Sequence, residues 1–260
     1  MENNLFLDIP NFIPEYNKNK NYSYSKKEGN QNLKDLLRDT AEGYCMYCFS
    51  KIHIDRKNFG HLEHSIEKGS SKILKDCPIN ISITCPICNL SFKRMGENDR
   101  KLHKEELEKF KYKLDCNRFC NEMCENYKNL RKVFNNKKNG QIILQPFGVM
   151  GENENHYLLM QYDLLKQVFI PSTKFPYNKK EKNYINSHIN RFNLNDDKYR
   201  THEIIRVCKY VLSYNRIPDY DIFLNYIARL FIQKIEKMNF NDTYKICKII
   251  YTQAYLLNKV

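Results

Sequence analysis

Apolar residues recur at helical spacing in long stretches of the chain, most of them in its second half. In residues 32–39, for example, Leu33, Leu36 and Leu37 fall on one face, which predicts an amphipathic helix that ends near Gly43. Downstream, the same spacing between turn-forming residues predicts further helices. The predicted helices cover residues 32–39, 100–135, 179–191, 195–212, 218–238 and 241–257.

Shorter runs alternate between apolar and polar residues, which favours strands. Two such runs lie in the first half, at residues 59–66 and 80–84, and a polar loop is predicted between them at residues 68–77. Ile81 and Ile83 would point inward from the second strand. Residues 44–54 should form a tight turn and a strand. A small β meander is predicted from three later runs, at residues 141–147, 156–162 and 167–171.

The first 30 residues resemble an arm that docks through apolar side chains and continues as a flexible, polar link. The docking residues are expected to be Leu5, Phe6, Ile9, Phe12 and Ile13. The patterns together divide the chain into an N-terminal arm and helix (1–40), a small core (41–100) and a mainly helical C-terminal region (101–260). The predicted fold class is α+β.

The net charge of +13 favours a polyanionic partner such as nucleic acid. Most of the excess lies after residue 100. The chain is also rich in Lys, Asn, Ile and Tyr, and this compositional bias could account for part of the charge. No apolar run is long enough to span a membrane, and the N-terminus lacks the pattern of a signal peptide. We therefore expect a cytoplasmic protein with no membrane partner.

Two Cys-x-x-Cys pairs give the first indication of chemistry. Cys45 and Cys48 form one pair, and Cys85 and Cys88 form the other. In a chain without a secretion signal, four such cysteines are typical of one structural zinc site, although free thiols in a core are an alternative. Three further cysteines share one predicted helical face, where they could form a second metal site or serve as buried apolar residues; they are Cys116, Cys120 and Cys124.

Between and after these pairs lie polar residues with a recognisable spacing. Glu63 and His64 are adjacent, Asn80 lies five residues before Cys85, and Asn89 directly follows Cys88 with Lys93 four residues later. This stretch resembles the HNH (ββα-metal) nucleases in their zinc-ribbon form. The resemblance implies a small zinc-stapled ββα-metal core, embedded here in a mainly α-helical protein with a short β meander.

The resemblance also implies a metal-dependent endonuclease that hydrolyses phosphodiester bonds in DNA. His64 would be the general base, and Glu63 and Asn89 would hold a catalytic Mg²⁺ or Mn²⁺. Asn80 would orient His64, and Lys93 would contact a phosphate. Glu63 stands where Asp or His is more frequent in the family, and Asn89 stands where His is more frequent. Both variants occur among these nucleases.

Other residues near the pattern are candidates for nucleic-acid contacts. His61 would share a strand face with Glu63, where it could bind metal or phosphate or be exposed to solvent. Arg94, Arg200 and Arg206 could contact the nucleic-acid backbone, although each could also be an ordinary solvated charge.

A second resemblance covers part of the C-terminal region. Residues 144–147 (Leu-Gln-Pro-Phe) and the set Leu194, Asn195, Arg200 and Arg206 are similar to the tail of PtuB-like HNH proteins of Septu and retron-linked anti-phage systems. These proteins act beside an ATPase partner, so the resemblance implies a defence effector with such a partner. The alternative function is a non-catalytic zinc-ribbon protein that binds nucleic acid or serves as an interaction subunit.

Overall fold

The computed structural model describes residues 5–69, 72–111, 123–152, 155–200, 202–219 and 222–257. Within these ranges the fold is mixed α and β, which confirms the predicted fold class. No helix among the described residues has the length and apolar character that crossing a bilayer requires. The α-helices are α1 (Lys27–Thr40), α2 (Lys72–Lys75), α3 (Lys104–Lys111), α4 (Glu125–Asn135), α5 (Lys179–Arg191), α6 (Glu203–Tyr214), α7 (Tyr226–Ile235) and α8 (Phe240–Leu256).

The described strands form small antiparallel sheets. β4 pairs with β5, β2 pairs with β3 in a short hairpin, and a three-stranded sheet has the order β1-β6-β7. The strands are β1 (Phe6–Asp8), β2 (His53–Ile54), β3 (Lys57–Asn58), β4 (His61–His64), β5 (Ile81–Thr84), β6 (Met160–Asp163) and β7 (Val168–Pro171).

The N-terminal arm is more ordered than the sequence suggests. β1 pairs with β6, so the arm supplies an edge strand to the sheet that the meander begins. Ile9 and Phe12 are buried as predicted, whereas Ile13 is exposed. The expected flexible link is wrong, because Tyr16 and Tyr22 are buried and α1 begins at Lys27, five residues earlier than predicted.

The meander itself is shorter than predicted. Residues 141–147 form no strand, and three carbonyl groups of this region instead accept hydrogen bonds from the buried guanidinium of Arg131. These acceptors are the carbonyls of Leu144, Pro146 and Gly148. A single buried arginine thus satisfies backbone groups that a neighbouring strand would otherwise pair.

Residues 100–135 do not form one continuous helix. Residues 101–103 and 123–124 are non-helical, and they lie outside α3 and α4. Cys124 is a free thiol at the residue before α4. Cys116 and Cys120 lie outside the described residues, so the predicted alignment of the three cysteines is not tested.

In the C-terminal region one helix has the predicted start and two begin later than predicted. α5 has the predicted bounds, since Asn178 and Glu181 form a reciprocal capping box. α6 begins at Glu203 rather than near Asn195, because the Asn195 amide pairs with the backbone of Phe169 in β7. α7 likewise begins at Tyr226, well after Pro218.

The core is continuous across the three regions of the chain. The buried apolar cluster contains residues of the arm, of the cysteine-containing segment and of the C-terminal helices. Backbone hydrogen bonds join Lys51 N to the Leu224 carbonyl and Tyr226 N to the Phe49 carbonyl, each at 2.8 Å. The start of α7 is thereby fixed against the first Cys-x-x-Cys turn.

Candidate functional site

The four cysteines of the two Cys-x-x-Cys pairs converge on one point. Their sulfur atoms all lie within 4.8 Å of one another, and no other group of three or more Cys, His, Asp or Glu among the described residues could hold a metal. Cys48 Sγ and Cys85 Sγ are 3.6 Å apart, which is too far for a disulfide. Sulfurs bound to one tetrahedral zinc at about 2.3 Å would lie roughly 3.8 Å apart.

Local backbone geometry explains this convergence. Phe49 N donates to the Cys45 carbonyl, which closes the first turn, and Met46 N donates to the Ile83 carbonyl, which fixes that turn on β5. The second pair follows directly after β5, and Cys88 N donates to Cys85 Sγ. Neighbouring thiols donate hydrogen bonds to Cys85 and hold its pKa well below its usual range. The residues therefore fit a structural zinc ion, whose thiolate ligands must be deprotonated.

β4 distributes the candidate residues over two faces. Glu63 pairs with Ser82 and His64 pairs with Ile81, so successive side chains of β4 point to opposite sides of the sheet. His61 and Glu63 lie on the face covered by the turn after Cys88. This turn is the π-helix Cys88–Phe92, at the place where the ββα resemblance implies the start of an α-helix. His64 lies on the other face.

Glu63 is engaged in a buried ion pair. Its Oε1 is 2.6 Å from Lys93 Nζ, and its Oε2 accepts from Ser82 Oγ at 3.3 Å. Lys93 also donates to the carbonyls of His64 and Ser65, at 2.5 and 3.0 Å. Burial raises the pKa of Glu63 to about 7, and the attraction of Lys93 opposes this rise. With the Lys93 side chain only 3% exposed, its ammonium is not placed to contact a phosphate.

The ion pair extends into a buried network. Arg100 is fully buried and donates to Glu67 through Nε at 2.9 Å, while Glu67 lies 3.7 Å from Lys93. Arg100 also donates to the carbonyl of Lys93. Two carboxylates thus face two cations, and the network fixes the end of the π-helical turn against β4.

His64 is held in a defined protonation state. Its Nε2 lies 2.9 Å from the carbonyl oxygen of Lys75. Because a carbonyl can only accept, Nε2 carries the hydrogen and Nδ1 keeps its lone pair. Burial lowers the pKa of His64 to about 4; the Lys75 carbonyl opposes this shift, and Lys68 and Lys93 reinforce it. The imidazole is therefore neutral at physiological pH.

Asn80 bonds the backbone near His64 rather than the His64 ring. Its amide is fully buried and bonds both the N–H and the carbonyl of Ile66, at 2.9 Å each, and the carbonyl of Leu74 at 3.2 Å. Tyr127 of α4 donates to its Oδ1 at 2.6 Å. Asn80 thereby joins the segment that follows His64 to the segment that ends at Lys75. The intervening residues include α2 and buried Leu74, so the predicted polar loop is partly wrong.

Asn89 lies with His61 rather than with Glu63. Asn89 Nδ2 and His61 Nδ1 are 3.5 Å apart, at the limit of hydrogen bonding, and His61 is exposed. Glu63 is occupied by Lys93 and Ser82. With Glu63 bound to Lys93 and Ser82, and Asn89 beside His61, the contacts of these two side chains do not fit the predicted catalytic cation.

The three candidate arginines lie in different environments. Arg94 is exposed at the end of the π-helical turn. Arg200 donates to the Gln167 carbonyl at 2.7 Å and pairs with Asp197, so its side chain is only 6% exposed. Arg206 is largely exposed on α6. The polar partners of Arg200 and Arg206 belong to the C-terminal region, and none of these partners is a residue of β4.

Three residues near His64 were not predicted from the sequence. The ring of Tyr24 packs edge-on against His64 with centroids 4.6 Å apart, and Lys68 donates to the Tyr24 hydroxyl at 3.2 Å. Asp76 accepts from the hydroxyls of Ser23 and Ser25 on either side of Tyr24. No spacing in the sequence links Tyr24 in the arm to His64, and Lys68 and Asp76 lie in the segment expected to be a polar loop.

Comparisons with known proteins found no relative of this chain. No protein-family model matches the chain, and neither a curated protein nor a solved structure matches it.

Proposed function

We propose that the protein is an HNH-type endonuclease that hydrolyses phosphodiester bonds in DNA, with His64 as the general base. One observation carries the proposal: the Nε2–H of His64 is bonded to the Lys75 carbonyl at 2.9 Å, which leaves Nδ1 unprotonated. A histidine that is neutral near pH 7 and held in one tautomer presents a free lone pair that can accept a proton from water.

The reaction needs one proton acceptor and one activated oxygen. Nδ1 of His64 takes a proton from water, and the resulting hydroxide oxygen bonds to phosphorus. The bond from phosphorus to the leaving oxygen then breaks, and that oxygen takes up a proton from solvent. His64 finally returns its proton to solvent, so the protein is unchanged after the cycle.

The four cysteines support this proposal structurally. A zinc ion at Cys45, Cys48, Cys85 and Cys88 would join the turn before β4 to the turn after β5. This is useful because the two strands of this unit are only four residues each. The zinc would have no role in the chemical step.

Glu63 and Asn89 are the residues that the HNH resemblance assigns to Mg²⁺ or Mn²⁺. Because their present contacts do not fit such a site, we assign no step to a divalent cation. The dependence of cleavage on added cations is therefore measured rather than assumed.

The proposal extends to the biological setting. The resemblance of residues 144–147 and 194–206 to PtuB-like proteins supports a cytoplasmic anti-phage effector that works with an ATPase partner. The charge of +13 supports DNA as the substrate, since neutralising phosphates with lysine and arginine supplies much of the affinity for DNA.

A non-catalytic nucleic-acid-binding protein is the second candidate. It is favoured by the Glu63–Lys93 ion pair, which occupies the carboxylate that the HNH resemblance assigns to the catalytic cation. In that case the zinc site would stabilise a binding surface, and His64 would be structural.

Comparing the wild-type protein with His64→Ala separates the two candidates. Supercoiled plasmid is incubated with each protein in the presence of Mg²⁺, Mn²⁺ or EDTA, and binding to a DNA duplex is measured in parallel. The nuclease predicts nicking or linearisation that His64→Ala abolishes while binding persists. Binding without cleavage by the wild-type protein, alone and with candidate ATPase partners, would favour the second candidate.

A further inference from the structure

A cation without a carboxylate partner lies beside His64. Lys68 is exposed, donates to the Tyr24 hydroxyl at 3.2 Å and places Nζ 5.0 Å from the centroid of the Tyr24 ring. Among the described residues these are its polar contacts, and no ion pair is formed. An exposed lysine normally samples many positions, whereas these contacts place Lys68 against Tyr24, whose ring packs against His64.

Tyr24 is itself fixed in place from both sides. Asp76 accepts from Ser23 Oγ at 2.8 Å, from Ser25 N at 2.8 Å and from Ser25 Oγ at 2.9 Å. These bonds hold the segment around Tyr24 against the end of α2, and α2 ends at Lys75, whose carbonyl holds His64. Tyr24, Lys68 and His64 are thus positioned by one connected set of contacts.

Three charged side chains act on His64. Lys68 and Lys93 act on the imidazole as positive charges, and Asp76 acts as a negative charge. Lys93 is paired with Glu63, whereas Asp76 stays negatively charged and accepts hydrogen bonds from the arm. Lys68 donates to the Tyr24 hydroxyl and forms no ion pair among the described residues, so its ammonium can pair with a bound anion. Such an anion would offset the effect of the Lys68 charge on His64.

We propose that Lys68 and Tyr24 form a phosphate-binding site beside His64, which holds a phosphodiester of the nucleic-acid substrate next to the attacking water. This inference rests on the proposed function and names two positioning residues for it. The ammonium of Lys68 and the hydroxyl of Tyr24 both donate hydrogen bonds to phosphate oxygens. With Glu63 and Asn89 engaged elsewhere, Lys68 supplies the positive charge that the developing negative charge on phosphorus requires.

The site is tested first without any cleavage. Inorganic phosphate is titrated into the full chain while the imidazole signals of His64 are followed by NMR, and the same titration is run on Lys68→Met, Lys68→Arg, Tyr24→Phe and Lys75→Met. Lys75→Met is the matched control, because it removes a nearby exposed charge and keeps the carbonyl that holds His64.

The expected result is a saturable shift of the His64 signals in the wild-type protein. Lys68→Met should weaken phosphate binding by roughly tenfold, Lys68→Arg should restore most of it and Tyr24→Phe should weaken it less, since charge-assisted hydrogen bonds are the stronger ones. Lys75→Met should bind as the wild type does. His64 signals that do not respond to phosphate, or that respond equally in Lys68→Met, would overturn the inference.

A second measurement separates this site from the nuclease itself. In single-turnover cleavage of a labelled DNA duplex, Lys68→Met should slow the reaction and Lys68→Arg should restore it. If phosphate binding depends on Lys68 but the protein never cleaves DNA, the nuclease proposal is contradicted and the anion site is supported. If cleavage needs His64 but is unchanged in Lys68→Met, the anion site is contradicted and the nuclease proposal is supported.

Zinc content and circular dichroism check that each variant folds. If Lys68→Met does not fold, the milder Tyr24→Phe and Lys68→Arg variants are used instead.

Discussion

At the scale of single residues, burial determines what the polar groups around β4 can do. Glu63 and Lys93 are almost fully enclosed and bind each other, so their main effect is on stability. His64 is enclosed too, but its hydrogen-bond partner is a carbonyl, which leaves one nitrogen available. Neighbouring positions of one strand thus differ in role because their partners differ.

Removing Lys93 should destabilise the fold strongly. Lys93→Met leaves the Glu63 carboxylate buried without its cation, which typically costs roughly 3–5 kcal/mol in free energy of unfolding. Glu63→Gln combined with Lys93→Met should recover part of the loss. Urea unfolding followed by circular dichroism measures both, and exposed Lys57→Met is the control, expected within about 0.5 kcal/mol of the wild type. A Lys93→Met protein as stable as the control would contradict a stabilising role for the ion pair.

The lowered pKa of His64 predicts a pH-dependent stability. The folded protein binds a proton at His64 only near pH 4, whereas the unfolded chain binds it near the ordinary value of 6.5. The stability that this difference contributes is present above pH 6.5 and is lost as the pH falls towards 4. The loss is about 3 kcal/mol in free energy of unfolding.

The measurement compares the wild type with His64→Gln in urea unfolding at a series of pH values. The difference in free energy of unfolding between the two should change across this interval. Glu63 has a raised pKa and contributes in the opposite sense between pH 4.5 and 7, so only the difference isolates His64. A difference that does not depend on pH would contradict the lowered pKa.

At the scale of elements, the two Cys-x-x-Cys turns hold the β4–β5 pair. Each turn is fixed to β5, one through Met46 N and the other by direct continuation of the chain. A zinc ion would join the two turns directly.

The purified protein should bind one zinc ion per chain through the four cysteines. Cys85→Ser should lose zinc and unfold the β4–β5 unit, since a structural site rarely tolerates loss of a thiolate. The buried free cysteine Cys208 provides the matched control, and Cys208→Ser should keep zinc at the wild-type level. Atomic absorption gives the stoichiometry, and equal zinc contents in the two variants would refute the site.

The sequence predicts those elements whose signals are local. The cysteine spacing anticipates the converging sulfurs, and the capping residues Asn178 and Glu181 mark the start of α5. Long-range contacts are not visible in the same way. β1 is a three-residue strand whose partner lies in β6, and the contact of Tyr24 with His64 joins segments forty residues apart. Such pairings depend on tertiary packing, which local periodicity does not encode.

At the scale of the whole molecule, the cysteine-containing core and the C-terminal helices share one interior. The ring of Tyr47 stacks on Phe192 with centroids 4.8 Å apart, and Tyr44 packs against Tyr226. The apolar cluster continues through all these residues. Changes in the C-terminal helices can therefore alter the shape of the candidate site without touching His64.

The net charge predicts how binding to DNA depends on salt. If lysines and arginines contact several phosphates, the affinity for a DNA duplex should fall by a factor of ten or more, as an order-of-magnitude estimate, between about 50 and 200 mM salt. Fluorescence anisotropy with a labelled duplex measures the slope. An affinity that does not change with salt would argue against a polyanionic partner.

In the proposed reaction, His64 Nδ1 accepts the proton of the attacking water. The most direct test is the single-turnover cleavage rate of a labelled DNA duplex, measured against pH for the wild type and for His64→Asn. Loss of a general base should slow the reaction by roughly a hundredfold or more. We therefore expect a much lower rate for His64→Asn at every pH above 5, with zinc content and DNA affinity unchanged. Cleavage by His64→Asn at the wild-type rate would contradict it.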